Sequence, residues 1–142
     1  MNRRSRLVGF AAVVAICAVL ASVVAGRLLP ALGVPDLYGT AVTSAVGAVT
    51  IASFWVLLGD GFDDAGYPTP GRVVLDAVSV AGSALLVAAA FVALVDVAGL
   101  VDGSVRAGEA FVAAGPRLVA TAVGVGAGVY VFYRRNRARF AR

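Results

Sequence analysis

Four long stretches without a charged residue alternate with short polar segments along the 142-residue chain. The first three stretches are 20, 23 and 19 residues long and cover 7–26, 37–59 and 77–95. The fourth, 118–133, has only 16 residues, but the stretch 111–133 is interrupted only by Arg117. A helix needs about 20 apolar residues to cross roughly 30 Å of hydrocarbon. The pattern therefore predicts four transmembrane helices, at approximately 7–26, 37–59, 74–96 and 116–133.

Composition supports the same fold class. Hydrophobic residues make up 61% of the chain and charged residues 14%, against about 25% charged in an ordinary soluble domain. Mean hydropathy is +0.94. Too few polar side chains remain to cover a soluble globule, which excludes a soluble enzyme and a disordered chain. We expect an all-α integral membrane protein, a single domain over 1–142 built as an antiparallel bundle of four helices.

The first apolar stretch has a second interpretation, as a cleaved signal peptide. Its length exceeds the 7–15 apolar residues that are usual in such peptides, and residues 23–25 form a weak cleavage signal. We therefore expect an uncleaved first helix.

The twelve basic residues are all arginine, and their distribution predicts the orientation. With a cytoplasmic N-terminus, four spans place nine arginines inside and three outside, as the positive-inside rule requires. Both termini are thus predicted to be cytoplasmic, in the cell membrane. Arginine-rich tails beside apolar spans favour contact with anionic lipid over nucleic acid. The absence of lysine beside so much alanine, valine and glycine indicates a GC-rich coding sequence, typical of some prokaryotes.

Small and hydroxylated residues recur at helical spacing within three spans. In span two, one face carries Thr40, Thr43, Gly47 and Thr50. This face is either a polar path for a solute or a close packing surface, and packing is favoured. Gly124 and Gly128 in span four predict a close helix contact. In span one, a comparable seam is formed by Ala11, Ala15, Ala18, Ser22 and Ala25.

Three charged residues near the ends of the spans are candidates for function. Asp76 and Asp96 bracket span three, about 30 Å apart along a helix, so each is predicted to lie at one interface. Arg117 lies near the outer end of span four. Antiparallel packing would bring Asp96 and Arg117 together as an ion pair, and an anion site around Arg117 is the alternative. For Asp76, a proton or cation role is weighed against an interfacial position.

Two connections carry further charges. The cytoplasmic loop 60–72 contains Asp60, Asp63 and Asp64, whose spacing does not match an EF-hand; we interpret it as a solvated turn, with a weak divalent-cation or docking site as the alternative. The last connection is compatible with a short interfacial helix over 104–114, after which Pro116 would open span four.

Little in the sequence indicates catalysis. Histidine is absent and Cys17 is the only cysteine, so the commonest catalytic base and metal ligand are missing. No nucleophile–base pair or cofactor motif is visible, and we expect neither an enzyme nor a cofactor. The chain is interpreted as a small structural, accessory or assembly protein, acting with a membrane-protein partner or a second copy. The alternative is a small oligomeric transporter or channel.

Overall fold

The computed structural model describes residues 3–58, 70–98 and 110–140, and it is helical over nearly all of them. The helices are α1 (Arg3–Val23), α2 (Leu29–Ala31), α3 (Gly39–Leu58), α4 (Pro70–Val97) and α5 (Ala110–Phe140). A π-helical turn, Val24–Leu28, joins α1 to α2, and a 3₁₀ turn, Asp36–Tyr38, precedes α3.

Four helical segments in these described residues are long and apolar enough to cross a membrane, which confirms the predicted number. They are Arg4–Ala31, Asp36–Leu58, Gly71–Val97 and Gly115–Ala138. The first therefore extends beyond the predicted 7–26 and includes α1, the π turn and α2.

The end of the first span follows from Pro30 and Gly33. Pro30 has no backbone N–H, and its ring crowds the carbonyl four residues earlier, where the wider π turn lies. The span then closes with a Schellman motif, in which the backbone N–H of Val34 donates to the carbonyl of Leu29 at 2.9 Å and that of Gly33 to Pro30 at 3.0 Å. Gly33 adopts φ +69°, which a residue without Cβ reaches at no steric cost.

Contacts between the spans establish their directions. Phe10 near the start of α1 meets Phe54 near the end of α3, with ring centroids 5.9 Å apart, and Ala25 lies against Gly39; these spans are antiparallel. Successive spans continue this alternation, so α3 and α5 run parallel. We call the end where α1 begins and α5 ends the arginine-rich end.

The core lies among α3, α4 and α5 and consists mainly of small side chains. Its fully enclosed residues include Ala48, Val80, Ala84, Ala88 and Ala120, each 0% exposed. Alanine at these positions lets the helix backbones approach closely, which is how helices associate in a medium as apolar as their side chains.

The four helices of the bundle are not equivalent in their packing. α1 packs chiefly on α3, and no residue in the apolar window of the first span is buried. The small-residue seam predicted to pack in span one is mostly exposed, at Ala11, Ala15, Ala18 and Ser22. On α1 the half-buried residues include Phe10, Val13 and Cys17, whereas larger side chains such as Ile16 and Val19 are exposed.

The fourth span also differs from its predicted bounds, 116–133. α5 begins at Ala110, so Pro116 lies inside the helix rather than at its first position. α5 continues to Phe140, and thus includes much of the predicted basic tail. The aspartate-rich loop and most of the proposed interfacial helix lie outside the described residues.

Aromatic rings stabilise this extension of α5. Phe140 contacts Trp55 of α3, with ring centroids 5.8 Å apart. It also contacts Tyr133 of its own helix, with ring centroids 5.4 Å apart. Trp55 in turn meets Phe54, which meets Phe10 of α1. Rings from α1, α3 and α5 therefore form a connected cluster at the arginine-rich end.

Candidate functional site

Asp76, in the second turn of α4, is the buried acid of the described spans. Only 3% of the surface of Asp76 is exposed. Its Oδ1 accepts a hydrogen bond from Nε of Arg135 on α5 at 2.6 Å. Its Oδ2 lies 3.5 Å from Nδ2 of Asn136. The carboxylate is thus held by two consecutive residues of the neighbouring helix.

The two partners of Asp76 have different surroundings. Asn136 is 3% exposed, and its Nδ2 also donates to the backbone carbonyl of Phe132 at 3.0 Å. The side chain of Arg135 is 41% exposed, so its guanidinium bridges the buried carboxylate and the surface. A buried carboxylate needs such a partner, because an unpaired charge in the interior is strongly disfavoured.

The sequence pattern identified Asp76 as a candidate, whereas Arg135 and Asn136 lie beyond the predicted fourth span, 116–133. The way in which α4 and α5 pack shows how these two partners could have been found. Gly128 meets Val80, and one turn further along each antiparallel helix, at four-residue spacing, come Phe132 and Asp76. A second turn of α5 brings Asn136 to the carboxylate, so extending the glycine face of α5 by two turns leads to this site.

The glycine face itself lies at the closest approach of three helices. A Cβ at Gly128 would stand 2.5 Å from the Cβ of Ala48 and 2.9 Å from the carbonyl oxygen of Val80. A Cβ at Gly124 would stand 2.7 Å from the Cβ atoms of both Ser44 and Ala88. There is no room for even a methyl group at either position.

The threonine face of α3 does not line this contact. Thr43 is exposed, Thr40, Gly47 and Thr50 are half-buried, and Gly47 approaches only the Val125 side chain. The buried face of α3 carries Ala41, Ser44, Ala45, Ala48 and Ala52.

Hydroxyl groups in the spans bond largely to their own helices. The Thr43 hydroxyl donates to the carbonyl of Gly39 at 3.1 Å and that of Ser44 to Thr40 at 2.8 Å. The same local pattern recurs at Ser53, Ser79, Ser83 and Thr121. Such bonds satisfy a hydroxyl without a partner helix or water.

Asp96 and Arg117 are not brought together. The antiparallel register puts them near the same level, but both side chains are exposed. Asp96 lies in the last turn of α4, one turn beyond the buried Val92, and its side chain is exposed there. Within the described residues the predicted ion pair is not formed, and the pair that joins α4 to α5 is Asp76–Arg135.

An apolar groove runs between α1 and α4 across the surface of α3. At the arginine-rich end it forms a cavity of about 220 Å³, with Val13, Val56, Val73 and Asp76 in its wall. Towards the middle of the spans it continues into a more open cavity of about 290 Å³, lined by Cys17 and Leu20 among others. Val49 and Ala77 line both cavities.

The polar side chains of Asp76 and Ser53 in the groove wall already have hydrogen-bond partners outside the groove. The Asp76 carboxylate is paired with Arg135, and the Ser53 hydroxyl donates to the carbonyl of Val49 at 2.6 Å. The groove therefore presents an apolar surface in spite of these two residues.

No group of three or more potential metal ligands occurs within the described ranges 3–58, 70–98 and 110–140. Comparison of the chain with protein-family models, with curated proteins and with solved structures gave no significant match.

Proposed function

We propose that this chain is a small multi-pass accessory protein of the cytoplasmic membrane, with both termini in the cytoplasm and no catalysis of its own. The observation that carries the proposal is the closed contact of α3, α4 and α5 at Gly124 and Gly128. An interface without room for a methyl group has no passage for a solute. Such packing suits a protein whose role is to hold helices in place.

Charge distribution supports the orientation. Among described side chains, the arginine-rich end carries one acid, Asp76, and six arginines: Arg4, Arg6, Arg72, Arg134, Arg135 and Arg137. The opposite end carries two arginines, Arg27 and Arg117, and two acids, Asp36 and Asp96. An excess of arginine marks the cytoplasmic side, where anionic lipid headgroups are the expected contact.

An accessory role requires a partner in the same membrane, either another protein or a second copy. The exposed small-residue seam of α1 is compatible with such a contact, since small residues let a second helix approach closely. We expect purification in a mild detergent from the native membrane to yield one stoichiometric membrane-protein partner or a stable oligomer.

The seam of α1 provides a matched pair of variants for this experiment. Ala15→Leu, within the seam, is expected to reduce the co-purifying partner at least about fivefold, because a close contact has no room for the added atoms. Ala12→Leu, at an equally exposed position outside the seam, should retain the partner. A monomer that purifies alone from crosslinked native membranes would contradict the accessory role.

Asp76 favours the second candidate function, a small oligomeric transporter, because an acid within a membrane span often marks an ion path. Proteoliposomes distinguish the two roles. We expect fluxes of protons, sodium and chloride to equal those of protein-free liposomes. A flux that Asp76→Asn abolishes, while the protein stays folded, would assign transport to this chain.

A further inference from the structure

The groove between α1 and α4 matches one leaflet of a bilayer in length. Its lining on α3 extends from Ala45 to Leu57, which is roughly 18 Å at 1.5 Å per residue. One leaflet contributes about 15 Å, half of the roughly 30 Å of hydrocarbon. The groove starts at the arginine-rich end and finishes near the middle of the spans.

The groove is large enough to hold part of a hydrocarbon chain. An apolar cavity of about 150 Å³ already accepts a molecule as large as benzene. The cavity of about 220 Å³ beside Asp76 therefore has room for a segment of hydrocarbon chain.

Charge at the mouth of the groove indicates which headgroup belongs to that chain. Near this mouth, α4 carries Arg72, one residue before Val73 in the cavity lining, and the first turns of α1 carry Arg4 and Arg6. Asp76 adds no free negative charge, because Arg135 pairs with it. Basic residues at the cytoplasmic mouth of a pocket between transmembrane helices bind anionic lipid headgroups.

We propose that the groove binds one anionic phospholipid of the cytoplasmic leaflet, with an acyl chain along α3 and the headgroup phosphate at the arginine-rich end, on the side of Arg72. The proposal extends the accessory role, since a resident lipid would fill the space between the peripheral helix α1 and the three-helix core. It rests on the membrane location proposed above, but not on the identity of any protein partner.

The test is a titration of delipidated protein in detergent with dioleoylphosphatidylglycerol or dioleoylphosphatidylcholine, with bound lipids counted by native mass spectrometry. We expect the first phosphatidylglycerol to bind about tenfold tighter than phosphatidylcholine. Arg4→Gln/Arg72→Gln should bring the two lipids within about twofold of each other. Arg27→Gln/Arg117→Gln, which neutralises the opposite end, should keep the preference.

A second pair of variants tests the acyl-chain site. Ala77→Phe fills the groove from an exposed position on α4 and should weaken the first binding step of both lipids at least about tenfold, since the added ring removes the space for the chain. Ala90→Phe, equally exposed but outside the groove, should bind lipid normally. Circular dichroism and gel filtration establish that each variant is folded.

Several results would overturn the proposal. These are equal affinity for the two lipids, equal behaviour of the two arginine pairs, or normal lipid binding by folded Ala77→Phe. A stable dimer that excludes lipid would assign the groove to a second copy instead. Because the titration is done in micelles, a negative result would not bear on the accessory role or on the topology. Those two claims are tested by separate experiments.

Discussion

Replacing Gly128 with alanine is expected to lower the free energy of unfolding by about 1–3 kcal/mol, the usual cost of overpacking a filled core. The new methyl group would overlap the Cβ of Ala48 and the carbonyl oxygen of Val80. Two helices would have to move apart, because one of these atoms belongs to backbone. Gly128→Leu should cost more, as its side chain is larger.

Gly126 provides a control two residues away on α5. It is exposed, and an added Cβ would meet nothing within 4 Å. Gly126→Ala should be neutral or stabilising by about 0.5–1 kcal/mol, since alanine favours the helix. SDS titration in mixed micelles measures both variants. Equal losses at the two positions, or none at Gly128, would show that α5 does not pack through this face.

Removing the guanidinium of Arg135 is also expected to lower the free energy of unfolding strongly. Arg135→Ala leaves the Asp76 carboxylate buried without its 2.6 Å partner, and we expect a loss of about 2–4 kcal/mol in the free energy of unfolding. Asp76→Asn should cost less, because it removes the charge and keeps a polar group beside Asn136. The double variant Asp76→Asn/Arg135→Ala should lose less than the sum of the single variants.

Asp96 and Arg117, at the opposite ends of α4 and α5, provide the matched double-mutant cycle. Asp96 and Arg117 are both exposed and form no ion pair within the described residues, so Asp96→Ala and Arg117→Ala should show a coupling energy near zero. A strong coupling at Asp96–Arg117 together with none at Asp76–Arg135 would reverse this assignment of the ion pair.

Hydrophobic length was enough to predict the number and approximate place of the helices, because backbone groups in an apolar medium are satisfied within a helix. It did not predict which spans pack together. Small residues at helical spacing occur on α1, where they are exposed, and on α5, where they form the tightest contact. Spacing identifies a face, but the facing surface on the other helix decides whether that face is used.

The ion pair shows the same limit for charges. Asp76 and Asp96 both lie near the ends of α4, and the sequence alone favoured Asp96 because Arg117 is close to it at the outer ends. The structure buries Asp76 instead, because α5 continues past it and supplies Arg135 and Asn136 as partners. Arg135 and Asn136 could be found only by extending α5 beyond the apolar stretch that defined the span.

The measurement that tests the account most directly is the topology of the chain in a bacterial cytoplasmic membrane. Paired fusions to a fluorescent protein, which reports the cytoplasm, and to alkaline phosphatase, which reports the outside, are made at four positions. We expect phosphatase activity after Gly33 and Ser104 and fluorescence after Gly66 and Arg142, as the arginine distribution requires. Phosphatase activity after Arg142 would contradict the four-span bundle with both termini inside.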